Sequence, residues 1–211
     1  MKVKLCGFTK EESLKTAINC GCDFVGFVFY EKSPRNITPL EAKELAKIIP
    51  PHIAKVAVVV NPNQELISEI ISNLKPNFIQ FHGNESVEYL KDFKKNFPHT
   101  KIIKAFGIRN KEDLNSLKDY ENYADYFLLD NKSDNEFGGS GEKFDWEILK
   151  EISTTKEWFL SGGLNEKNIS SALQTSKAKM IDISSGIEEI RGEKSSLLIE
   201  QFMKKIKDYA A

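Results

Sequence analysis

Eight short apolar runs recur along the chain, each followed by a stretch of helical periodicity, and this alternation limits the fold more than any other feature. The strand candidates are Val3–Cys6, Phe24–Phe29, Lys55–Val60, Phe78–Phe81, Ile102–Ala105, Tyr126–Asp130, Trp158–Ser161 and Met180–Ile183. Amphipathic stretches lie near 12–18, 40–48, 64–74, 86–96, 111–118, 145–152, 166–173 and 195–207. The runs are almost continuous in apolar character, as expected of parallel strands covered on both faces. Eight strand–helix pairs in 211 residues match a minimal closed (β/α)8 TIM barrel, one domain over 1–211. A doubly wound open sheet is the alternative. Helix-start signals fit the same register. Thr9-Lys10-Glu11-Glu12 and Thr38-Pro39-Leu40-Glu41 read as capping boxes, and Asn61-Pro62-Asn63-Gln64 opens the third helix.

Composition narrows the class of partner. Acidic and basic residues nearly cancel, with a net charge of −1, and they are interspersed. Neither a nucleic acid nor a membrane surface is therefore an expected partner. No apolar run approaches the ~20 residues that span a bilayer. The N-terminus enters a strand pattern directly, without a signal peptide. Three cysteines, Cys6, Cys20 and Cys22, are an odd number that disfavours a disulfide framework, and a cytoplasmic setting is expected. Their spacing does not suit zinc, and no metal site is expected.

In a parallel barrel all strand C-termini open at one mouth, so chemistry is sought there. Two of these ends are glycine turns, Ser161-Gly162-Gly163-Leu164 and Ser184-Ser185-Gly186. Tight glycine turns expose backbone N–H groups that cradle phosphate, and barrels often bind phosphate with the loops after strands 7 and 8. Gly162, Gly163, Ser184, Ser185 and Gly186 are the expected phosphate residues. Gly141 joins them from the long connection Asn131–Lys143, read as an active-site loop.

Cys6 and Asp130 read as a base and an acid. With strands ordered 6-7-8-1 around the mouth, the phosphate turns lie between them. A free thiol near ~8.5 is only slightly ionised at neutral pH, and helix N-termini at the mouth are expected to lower it. The plainer readings are a small buried hydrophobe for Cys6 and a turn cap or lysine partner for Asp130. Arg35, in the second strand-to-helix loop, suits a carboxylate, because Arg forks onto both oxygens. His82 ends the fourth strand and either lines the site or serves the core or surface. Asp182, near the end of an apolar strand, either organises the Ser184 turn or contacts substrate hydroxyls. Cys20 and Cys22 fall at the opposite end of the barrel and read as structural, while His52 and His99 read as surface residues.

Taken in order, Lys4-Leu5-Cys6-Gly7-Phe8-Thr9, Ser33-Pro34-Arg35, Gln80-Phe81-His82-Gly83, Leu129-Asp130, Gly138-Gly139-Ser140-Gly141, Phe144-Asp145-Trp146, Ser161-Gly162-Gly163-Leu164 and Asp182-Ile183-Ser184-Ser185-Gly186-Ile187-Glu188 resemble the phosphoribosylanthranilate isomerase family. The resemblance implies a (β/α)8 barrel that converts N-(5′-phosphoribosyl)anthranilate to its aminoketose by an Amadori rearrangement in tryptophan biosynthesis. It implies no metal or organic cofactor. By position Asp130 matches the family's general acid, Cys6 its general base and Arg35 the contact to the anthranilate carboxylate. The implied ligand is a phosphosugar bearing an aromatic carboxylate, and the expected assembly is a monomer or homodimer. One departure stands out: Glu142 occupies the position after the Gly-Ser-Gly turn where the family often has Lys. An isomerase of another phosphosugar and a non-catalytic phosphosugar-binding barrel are the competing readings. Cys6 with Arg35 argues against the first, and the intact Cys6/Asp130 pair against the second.

Overall fold

The computed structural model describes residues 1–131 and 145–210. Eight parallel strands close into a barrel in sequence order: β1 (Lys2–Cys6), β2 (Phe24–Phe29), β3 (Ala54–Val59), β4 (Phe78–Phe81), β5 (Lys101–Ile108), β6 (Tyr126–Asn131), β7 (Trp158–Leu160) and β8 (Met180–Ile183). Closure comes from β8 pairing with β1, where Lys4 stands beside Asp182. The open-sheet alternative is thereby set aside. α1 (Glu11–Cys20), α2 (Pro39–Ala46), α3 (Gln64–Leu74), α4 (Val87–Asn96), α5 (Leu117–Tyr120), α6 (Ile169–Ser176) and α7 (Ser196–Ala210) complete the helices. A short antiparallel pair, β9 (Glu188–Ile190) and β10 (Glu193–Lys194), sits between β8 and α7.

The core has two shells, as the strands' two apolar faces require. Outward residues such as Leu5, Val25, Phe27, Ile79, Phe81, Phe127 and Ile181 pack against the helices. Inward residues Phe24, Val56, Phe78, Ile103, Leu128, Phe159 and Met180 fill the barrel. Phe24 meets Phe78 and Phe159 edge-on, at ring separations of 5.7 and 5.2 Å. The lower barrel is thus a packed plug, and any ligand must sit above it at the strand C-termini.

Three local expectations change. Thr9 does not cap α1: the helix starts one residue later than the box requires, with Lys10 at the N-cap and no side-chain cap bond. Lys10 instead reaches Glu193 at 2.8 Å, a tertiary contact that the local pattern does not encode. The stretch at 111–118 is a 3-10 turn over Lys111–Ser116 followed by the single-turn α5. The stretch at 145–152 is likewise 3-10, over Trp146–Glu151. Asn, Asp and Ser in these segments bond the local backbone, which favours tight turns over a continuing α-helix. The Thr38 capping box on α2 and the Asn63 cap on α3 form as expected.

Candidate active site

One cavity opens at the strand C-termini. Cys6, Arg35, His82, Asp130, Gly162, Gly163, Asp182, Ser184 and Ser185 all line it. Gly186 is one step outside, in a 3-10 turn where an added Cβ would collide with the Leu164 carbonyl oxygen. Its bare Cα lets the two phosphate turns pack together. Gly141 and the rest of the expected active-site loop through Lys143, apart from Asn131, lie outside the described residues. Cys20 closes α1 and Cys22 follows it, away from the cavity; burial, helped by the Asp23 charge, pushes the Cys22 thiol up to about 12. His52 and His99 are exposed.

Asp130 extends from the end of β6. Its Oδ1 accepts from the Asn131 N–H at 2.8 Å, and Oδ2 lies 3.3 Å from His82 Nε2. His82 is steadied from below, with Nδ1 2.9 Å from the Gln80 amide nitrogen. Gly162 arches beside the carboxylate at φ 93°, and a Cβ there would fall 2.8 Å from Oδ1. Only glycine lets the chain turn so close to Asp130. The N–H groups of Gly162 and Gly163 have no backbone acceptor among the described residues.

Across the two glycine turns stands Cys6. The expected lowering of its thiol is overturned: burial pushes the thiol up, and the cations of Lys4 and Lys194 only partly offset that. Asp182 reaches neither the Ser184 backbone nor open solvent; Oδ1 accepts from Lys4 Nζ at 2.8 Å inside the barrel. The Ser184 turn is tied down differently. Ser184 Oγ donates to the Cys6 carbonyl at 3.0 Å, and Lys194 Nζ donates to the Ser184 carbonyl and hydroxyl oxygens, both at 3.1 Å. Arg35 forks onto Glu188, with Nε and Nη2 each donating at 2.7 Å. Lys194 also pairs with Glu188, so one carboxylate on the hairpin joins both cations.

Two glycine turns between an acid and a thiol, with an arginine at the rim, suit a phosphorylated substrate carrying a second anionic group. Comparison with known proteins agrees. The family model for N-(5′-phosphoribosyl)anthranilate (PRA) isomerase matches residues 3–205. The chain belongs to the PRA isomerase family. The PRA isomerase of Zymomonas mobilis is 39% identical over 98% of this chain and 98% of its own. The crystal structure of the Thermotoga maritima enzyme superposes with a TM-score of 0.89 at 34% identity, covering 99% of both chains. A further PRA isomerase structure, solved in complex with reduced 1-(o-carboxyphenylamino)-1-deoxyribulose 5-phosphate, gives a TM-score of 0.84 at 32% identity over 99% of both chains.

In and around the cavity of this PRA isomerase family member, sequence reasoning missed four residues. Lys4 sits wholly buried beneath Cys6, though inward alternation from Cys6 marks it. Gln80 has a buried amide oxygen without a partner, beside the cavity it lines. Glu188 and Lys194 belong to the β9–β10 hairpin, whose strands are too short for periodicity to reveal. Outside the cavity, Lys104 Nζ donates to the Gly83 carbonyl at 2.7 Å and to Glu85 at 2.9 Å, holding the loop that follows His82.

Proposed function

We propose that the chain isomerises N-(5′-phosphoribosyl)anthranilate to 1-(2-carboxyphenylamino)-1-deoxyribulose 5-phosphate, with Asp130 as acid and Cys6 as base. The observation that carries this reading is the placing of Asp130 and Cys6 on either side of one cavity, with the two glycine turns between them. The phosphate sits on the N–H groups around Gly162, Gly163, Ser184 and Ser185, and the ribose then spans from β6 to β1. Asp130 gives its proton to the ribose ring oxygen. The C1–O bond breaks as the nitrogen lone pair forms a C=N bond. The Cys6 thiolate takes the proton from C2, and that electron pair makes the C1=C2 bond of an enolamine, which neutralises the iminium nitrogen. Loss of the C2 hydroxyl proton and protonation at C1 complete the ketone. Arg35 turns its Nη1 donors, which have no partner among the described residues, to the anthranilate carboxylate, while Glu188 fixes the rest of the guanidinium. His82 and Asp182 border the sugar.

The ligand is a phosphosugar with an aromatic carboxylate, and the assembly is a monomer or homodimer working in the cytoplasm. No helix among the described residues is long and apolar enough to cross a membrane. The test is loss of substrate fluorescence when phosphoribosylanthranilate is generated in place and the purified chain is added. The wild type turns over, while Cys6→Ala and Asp130→Ala each lose about 10²–10⁴-fold in kcat with circular dichroism unchanged. A folded wild type without turnover rejects the reading in favour of another phosphosugar or a binding-only barrel.

A further inference from the structure

Besides the Gln80 amide, the described interior of this barrel holds one buried ion pair, set directly below the thiol. Lys4 and Cys6 are two residues apart on β1, so both point inward. Lys4 has no solvent exposure at all, and Asp182, beside it on β8, is 5% exposed. Below and around them stand Phe24, Val56, Leu128, Phe159 and Met180. An ammonium in such a setting is costly to desolvate, and a methionine of similar length fills the space without that cost. Asp182 accounts for only one of the three Lys4 donors.

The neighbouring strand makes room for the thiol. Gly26 on β2 is the register partner of Cys6, and a Cβ at Gly26 would lie 2.6 Å from Sγ. The sulfur is thus seated against β2, in the same barrel layer that Lys4 reaches from below. The Lys4 cation pulls the Cys6 thiol down, and a thiolate there in turn pulls Lys4 up.

We propose that Lys4 is a positioning residue of the reaction: held by Asp182, its ammonium donates to the Cys6 sulfur and stabilises the thiolate that takes the C2 proton. The inference rests on Cys6 being the base. Lys4 remains protonated throughout; the proton from C2 ends on sulfur, its electron pair neutralises the substrate's iminium nitrogen, and no other protein group changes charge.

The charged groups around the thiol are few. Lys4 comes from its own strand, Asp182 from β8 and Lys194 from β10, with the Arg35–Glu188 pair beyond Lys194. Lys194 is already bonded to Ser184 and Glu188, and burial pulls it below its ordinary value. Lys4 is the opposite case: burial pulls it down, but Asp182 and Cys6 outweigh that and hold it above the ordinary lysine value.

The experiment is an ultraviolet titration of the Cys6 thiolate, taken as the difference between each chain and the same chain carrying Cys6→Ser, in the wild type and in Lys4→Met. The Cys6 midpoint is expected to rise by about one unit or more. In turnover assays kcat falls about tenfold at neutral pH, KM stays within about twofold, and raising the pH restores much of the loss. If Lys4→Met fails to fold because Asp182 is stranded, Lys4→Met/Asp182→Asn removes the pair together. Its midpoint is still expected above the wild-type value, since Lys4 acts on the thiol more strongly than Asp182 does. An unchanged or lowered Cys6 midpoint in whichever variant folds overturns the proposal, whatever happens to activity. So does a loss of kcat that no pH restores. Turnover surviving in Cys6→Ser rejects Cys6 as the base, and a midpoint shift in Lys4→Met then reports the Lys4–Cys6 contact alone.

Discussion

At the scale of single residues, the mouth is organised by carboxylates that each serve a cation or an N–H. Glu188 is the clearest case. Burial alone pushes its carboxyl up, but bonds from Arg35, the Lys194 charge and the Gly192 N–H outweigh that and hold it below its ordinary value. A folded carboxyl so lowered contributes stability above the ordinary glutamate range, and that contribution is lost as pH falls through the folded value. Glu188→Gln is therefore expected to narrow the stability difference between neutral and acidic buffer, read from urea melts at the two pH values. The same variant loosens Arg35 and is expected to raise KM about tenfold, with kcat changed far less, because the proposed Arg35 contact lies remote from the bonds that change. A KM equal to the wild-type value would separate Glu188 from substrate binding. The candidate residues Cys6 and Asp130 were legible because unusual side chains ended apolar runs, and Arg35 because a forked cation stands in the second strand-to-helix loop. Their pairings were not, since Arg35 and Glu188 are joined only when the chain closes.

At the scale of elements, legibility followed the strength of the local signal. Phe24–Phe29, Phe78–Phe81 and Met180–Ile183 are strands with the bounds their apolar runs mark. α2 starts at a capping box in which Thr38 and Glu41 bond reciprocally. Thr38→Ala is expected to cost about 1 kcal/mol. In a domain of this size that lowers the melting temperature by about 2–4 °C, with turnover kept, checked by thermal melts beside the assay. The stretches at 111–118 and 145–152 carried helical periodicity, yet fold mainly as 3-10 turns, because their short polar side chains satisfy nearby backbone groups first. The β9–β10 hairpin gave no periodic signal, and Lys10 and Arg35 reach it only in the folded barrel.

For the molecule as a whole, stability and chemistry occupy different levels of one barrel. The lower interior is a cluster of edge-on aromatic rings, and the cavity lies above it. Phe159→Ala empties part of the plug and is expected to cost about 3–5 kcal/mol in urea unfolding. The fraction that stays folded should keep its KM, because Phe159 does not line the cavity; a raised KM would mean that the two levels are coupled. The sequence by itself determined the eight-fold alternation, the glycine turns and the acid–thiol pair, because these are properties of single residues and of short-range periodicity. Only the tertiary structure decided that Lys4 and Asp182 meet beneath Cys6, that Glu188 holds Arg35, and that the thiol is pushed up rather than down. Each of these depends on burial and on a partner from a distant strand, and neither exists until β8 closes onto β1.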